Sequence, residues 1–115
     1  MKVISIKENH IFRRLYAKGK SAVSPCLAVY CRRSGRPYSR LGITVSAKLG
    51  KAVRRNKVRR RLREIYRLHQ QELAPGWDIV VVARVKAAHT GYAALERSFL
   101  SLADKLGLKR KESRT

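Results

Sequence analysis

The segment Asp78-Ile79-Val80-Val81-Val82-Ala83 constrains the fold more than any other part of the chain. It is β-branched and apolar at consecutive positions, so an extended backbone here is apolar on both faces, as an interior strand is. Two upstream segments have the simpler alternating pattern. In Leu27-Ala28-Val29-Tyr30-Cys31-Arg32, Leu27, Val29 and Cys31 share one face, and Ala28, Tyr30 and Arg32 share the other. In Leu41-Gly42-Ile43-Thr44-Val45-Ser46, Leu41, Ile43 and Val45 point inward, leaving a second face that is small and polar. The turn cluster Ser34-Gly35-Arg36-Pro37 lies between these segments and predicts that they form an antiparallel hairpin.

Helical spacing accounts for much of the remainder. Ile11, Phe12, Leu15 and Tyr16 recur at helical intervals before Gly19, which predicts a first helix over about residues 6–18. Ser5 with Glu8 resembles a capping box, and Asn9 is a second candidate cap. Val58, Leu62, Ile65 and His69 form a stripe within a central helix over 52–72, closed by Pro75-Gly76. Tyr92, Leu95, Phe99, Leu102 and Leu106 mark a last amphipathic helix with Gly107 as its C-cap, and 109–115 reads as a frayed basic tail. The order is helix, two or three strands, helix, strand, helix. With 115 residues and 44% hydrophobic content, this suits one domain over 1–115 in which a helix layer covers one face of a small mixed sheet.

Charge limits the function. The chain has 28 Lys and Arg against 7 Asp and Glu, a formal net charge of +21. That excess repels itself in a compact domain, and a polyanion relieves the repulsion. Residues 1–8 are too short and polar for a secretory signal, and the longest clean apolar run, Ile79 to Ala83, falls far short of a membrane span. A soluble, cytoplasmic protein without a membrane partner is expected. Cys26 and Cys31 lie an odd number of residues apart, on opposite faces of a strand, and read as two ordinary reduced thiols.

The charge peaks in residues 48–67, where ten of twenty residues are Lys or Arg and only Glu64 is acidic. At helical spacing Asn56, Arg59, Arg60, Arg63 and Arg67 share a face opposite Val58, Leu62 and Ile65, with Arg55 and Arg61 flanking the apolar stripe. Lys48 precedes the helix, and Lys51, Arg54 and Arg55 sit at or near its first turn, where the helix dipole disfavours cations unless an anion binds there. Seven of the ten are Arg, whose planar fork suits phosphate. Gly50 permits a close backbone approach or an unusual dihedral, or else is a simple turn glycine. An RNA-binding ridge is the expectation. A duplex-DNA partner is not expected, since no helix-turn-helix spacing is present.

Lys48, Gly50, Lys51, Ala52, Val53, Arg55, Asn56, Lys57, Arg59, Arg60, Arg63 and Glu64 together resemble the "RNR" motif of the bacterial ribonuclease P protein subunit. Phe12, Tyr16, Gly19 and Ser21 resemble its first helix and the turn after it, Tyr30 its strand aromatic, and 78–84 its late strand, so the likeness spans nearly the whole chain. Lys57 stands where Arg is usual, and Ala47 where a second Lys is common. The resemblance implies an α/β (α+β) two-layer sandwich with a mixed four-stranded sheet, order αβββαβα, ribosomal-protein-S5-domain-2-like, with a left-handed crossover. It also implies that the catalyst is an RNA subunit. The protein would bind that RNA through Lys48, Lys51, Arg54, Arg55, Asn56, Lys57, Arg59, Arg60, Arg63 and Arg67. It would hold the 5′ leader of precursor tRNA in a cleft with Phe12, Arg13, Tyr16, Lys20, Ser21 and Tyr30. Such aromatics stack on unpaired bases for about 1–3 kcal/mol per base.

An independent active site is not expected. Glu8, Glu64, Glu72, Asp78, Glu96, Asp104 and Glu112 form no carboxylate cluster of the kind that two-metal hydrolysis needs, and His10, His69 and His89 are scattered. No catalytic residue, metal site or cofactor is assigned to the protein alone; Mg²⁺ is expected for the holoenzyme. The competing reading is a ribosomal or other structural RNA-binding protein with no part in cleavage.

Overall fold

The computed structural model describes residues 2–110. Its elements are α1 (Asn9–Lys18), β1 (Lys20–Val23), β2 (Leu27–Arg33), β3 (Arg40–Val45), α2 (Ala52–His69), β4 (Trp77–Ala83) and α3 (Tyr92–Lys105). Short 3-10 turns occupy Ala47–Leu49, Gln70–Glu72 and Val85–His89. The four strands form one mixed sheet in the order β1-β2-β4-β3.

β4 is the interior strand that its composition demands. It pairs antiparallel with β2 and parallel with β3. The hairpin expected between β2 and β3 therefore does not form. A strand apolar on both faces buries most by lying between two neighbours, so β4 inserts there and α2 becomes the crossover between the parallel strands. The Ser34–Pro37 cluster arcs over the start of β4 instead: the Ser34 amide donates to the Gly76 carbonyl at 2.8 Å, and the Trp77 amide donates to Ser39 Oγ at 3.1 Å. β1, short and mostly exposed, completes the other edge against β2.

The two sheet faces carry separate cores. Leu27, Val29, Cys31, Leu41, Ile79 and Val81 pack with Val58, Leu62 and Ile65 of α2 and Leu95, Phe99 and Leu102 of α3. This is the helix layer expected from the sequence. α1 lies on the opposite face, where Leu15 packs with Ile6 and Val80, flanked by Ile11, Phe12, Tyr30 and Val82. Both cysteines are buried and free.

Three boundaries differ from the expectation. Ser5 does not cap α1. The Ile6 amide donates to the Leu41 carbonyl at 2.9 Å and the Leu41 amide to the Ile4 carbonyl at 2.8 Å, so this segment bridges to the free edge of β3 and the helix begins only at Asn9. Burying Ile6 against Leu15 and Val80 favours this over helix. The central helix ends at His69, and 70–72 tighten into a 3-10 turn that brings Leu73 into the main core. Lys109 pairs with Leu73, and the Arg110 amide donates to the Glu72 carbonyl at 2.7 Å, so the expected tail is anchored at its first two residues. Residues 111–115 lie outside those described.

Candidate nucleic-acid interface

α2 docks through Val58, Leu62 and Ile65, joined by Tyr66, which the sequence reading omitted. Tyr66 is only 3% exposed, its ring meets Phe99 edge-on, and burial pushes its hydroxyl pKa up to about 12. Asn56, Arg59, Arg60, Arg63 and Arg67 remain exposed on the far side, as expected. Four of the five have a local hydrogen-bond partner. Arg59 donates to Asn56 Oδ1 at 3.1 Å, Arg63 to Ser5 Oγ at 3.1 Å, and Arg67 clamps Glu64 with bonds of 2.9 and 2.6 Å. Lys51, Arg54, Lys57 and Arg61 line a separate groove of about 670 Å³ that runs past Val58 to Ala88.

The entry to α2 is set up for an anion. Lys51 is its N-cap without a side-chain cap bond, and no acid lies in the first turn, so first-turn amides are open to an incoming anion. Gly50 has φ 127°, a conformation L side chains rarely adopt, which resolves its role as conformational. Its carbonyl accepts from Arg55 Nε at 3.1 Å, folding that guanidinium back over the helix start. Lys48 stays exposed in the preceding 3-10 turn.

Phe12, Tyr16 and Tyr30 form one contiguous aromatic group. Ring centroids lie 6.5 Å apart for Phe12–Tyr16 and 5.0 Å for the edge-on pair Tyr16–Tyr30. The Tyr16 hydroxyl shares a hydrogen bond of 2.8 Å with Thr44 Oγ1, while 41% of the residue stays exposed. A groove of about 370 Å³ runs here, lined by Asn9, Phe12, Tyr16, Ile43, Thr44 and Arg59 among others. Ser21 is paired with Tyr30 across the β1–β2 ladder and so shares its face.

Two residues assigned to the cleft lie elsewhere. Lys20 pairs with Cys31, on the opposite face, where its ammonium sits 5.7 Å from the Trp77 ring centroid. One position of register separates Lys20 from Ser21, and strand alternation sends them to opposite sides. Arg13 lies on the outer side of α1 and lines a different depression with Arg14, Lys18 and Arg32. Asn9 and Thr44 line the aromatic groove and went unassigned; the small polar face of β3 was the signal for Thr44.

A family model described as Ribonuclease P matches residues 1–107. The chain belongs to the ribonuclease P protein family. Among curated relatives, the ribonuclease P protein component of Clostridioides difficile is 40% identical over 98 residues, covering 84% of this chain and 86% of that protein. That of Alkaliphilus oremlandii is 38% identical over 109 residues, covering 94% and 96%. The Staphylococcus aureus RNase P protein structure superposes with a TM-score of 0.86 at 34% identity, covering 95% of this chain and 100% of that one. The Thermotoga maritima RNase P protein gives 0.79 at 34% identity, covering 95% and 98%.

In this ribonuclease P protein, the acidic residues are largely engaged by cations. Glu8 and Asp78 face Arg40, Glu64 faces Arg67, and Glu72 and Glu96 face His69. Among the described residues, no group of three or more His, Cys, Asp or Glu is placed to hold a metal ion. No helix among them is long and apolar enough to cross a membrane. Lys57, in place of the usual Arg, lines the wide groove beside Ala88 rather than the aromatic one.

Proposed function

We propose that this ribonuclease P protein joins two RNAs, anchoring on the catalytic RNA through α2 and holding the 5′ leader of precursor tRNA in the aromatic groove. As a family member it is the protein component of an endoribonuclease whose catalyst is RNA. The observation that carries the reading is the position of Arg59. It belongs to the basic face of α2 and also lines the groove of Phe12 and Tyr16, so a strand lying there meets stacking surfaces and a phosphate-binding fork together. Asn56 Oδ1 accepts a hydrogen bond from that guanidinium at 3.1 Å.

The protein's share of the work is electrostatic and positional. Its cations neutralise phosphates where two RNAs meet, which lowers the Mg²⁺ needed to bring them together. We assign the metal ions to the RNA, because five of the six carboxylates among the described residues face a cation rather than one another. A cytoplasmic location fits both RNAs.

The test is 5′-leader cleavage of a precursor tRNA at low Mg²⁺, with protein alone, a bacterial ribonuclease P RNA alone, and both. Cleavage only or much faster with both is expected. Cleavage by the protein alone would overturn the assignment, and tight RNA binding without any rate effect would favour a purely structural RNA-binding role. Neutralising Arg55, Arg59 and Arg60 together should lower the salt slope of RNA binding by about 2–3.

A further inference from the structure

The flank of α1 that faces away from the aromatic groove carries a second concentration of charge that the roles above do not use. Two adjoining depressions, of about 490 and 420 Å³, share His10, Arg14 and Arg32. Arg13 and Lys18 extend the first, and Arg36 the second. These five Arg and Lys side chains, from α1, β2 and the loop after β2, are exposed, and none has a carboxylate partner among the described residues. The one acid in the lining, Asp78, is only 7% exposed and is held by Arg40 with two bonds of 2.9 Å. That pair satisfies the floor internally and leaves the cations above it unneutralised.

From this arrangement we infer that the groove between α1, β2 and the β2–β3 loop is a third RNA contact surface, beside the α2 anchor and the aromatic groove: a track for phosphodiester backbone. The inference rests on the RNA-binding reading above. Four of the five cations are Arg, whose forks match phosphate oxygens. The lining has no Phe, Tyr or Trp, unlike the aromatic groove on the other flank, so it suits backbone contact without base stacking. Holding these like charges together costs free energy that a bound polyanion offsets. The two flanks of α1 are about one helix diameter, ~10–12 Å, apart, so the same RNA strand or an adjacent one can reach both.

The source of that backbone is either the catalytic RNA or a distal part of the precursor. The experiment compares Arg14→Gln/Arg32→Gln/Arg36→Gln with a charge-matched control, Arg97→Gln/Lys105→Gln/Lys109→Gln, and with Arg59→Gln/Arg60→Gln. Binding is measured over a salt series to a bacterial ribonuclease P RNA alone, and, with the RNA–protein complex formed, to precursor tRNAs with short and long leaders. The groove variant should lose on the order of tenfold in affinity and about 2 in salt slope beyond the charge-matched control. A loss on the RNA alone identifies the catalytic RNA as occupant; a loss confined to the long-leader precursor identifies the leader. If the groove variant tracks the charge-matched control in every arm, this third contact surface does not exist. An unchanged slope for the Arg59/Arg60 variant would overturn the α2 anchor separately. Circular dichroism and thermal midpoints matching the parent confirm that each variant is folded.

Discussion

At Gly42 the absence of a side chain sets how α1 meets the sheet. A Cβ there would lie 2.6 Å from Phe12 Cζ and 2.7 Å from Cε1. Gly42→Ala should therefore push the Phe12 ring from its seat, lowering stability by about 1–3 kcal/mol in urea unfolding. It should also weaken leader-dependent binding more than binding to the catalytic RNA. The buried pair Arg40–Asp78 makes a second prediction. Arg40→Met leaves Asp78 as an uncompensated buried acid and should cost about 3–5 kcal/mol, read by the same unfolding experiment; Arg40→Met/Asp78→Leu should recover much of it. At this scale the sequence was informative where local spacing suffices. Phe12 and Tyr16, four apart on a helix, do share a face with Tyr30 and Ser21. Lys20 was misplaced because its face depends on the β1–β2 register, which no local pattern states.

The end of α2 is fastened to its surroundings through His69. Its Nδ1 lies 2.8 Å from Glu72 and its Nε2 2.6 Å from Glu96, joining α2 to the 3-10 turn and to α3. The hydrogen bond to Glu96, then that to Glu72 and both carboxylate charges, raise the imidazole pKa above its ordinary value against the opposing effect of burial. A raised folded-state pKa means the stabilisation is fully present below the unfolded value of about 6.5 and is lost as pH climbs through the folded value. The thermal midpoint should thus fall as pH rises from about 6 to about 8, and Glu96→Gln should flatten that dependence. Scanning calorimetry across the range checks it; a flat profile in the parent would remove the clasp. The element scale also holds the main topological difference. Alternation identified β2 and β3 as strands, but adjacency in sequence suggested a hairpin, whereas burial of both faces of β4 required it to lie between them.

Over the whole molecule, a formal charge of +21 sits on a body with a radius of gyration of 13.5 Å. Self-repulsion in so small a volume should make the free protein more stable as salt is added, with a rise of several degrees in thermal midpoint between low salt and about 0.3 M. RNA binding should weaken steeply over the same range. A midpoint that falls with salt would mean that the ion pairs of Arg40, Arg67 and His69 outweigh the repulsion.

The sequence by itself determined the interior strand, the docking stripe of α2, the basic character of its exposed face and the RNA-binding class, because periodicity and net charge are properties of neighbouring residues and of composition. Only the tertiary structure decided which strands pair, that α1 crosses the face opposite α2 and α3, that Ser5 joins the sheet edge, and that Arg59 lines the groove of Phe12 and Tyr16. Those arrangements depend on burying apolar surface between segments far apart in the chain, and that gain is set by the packing of the whole molecule rather than by any local pattern.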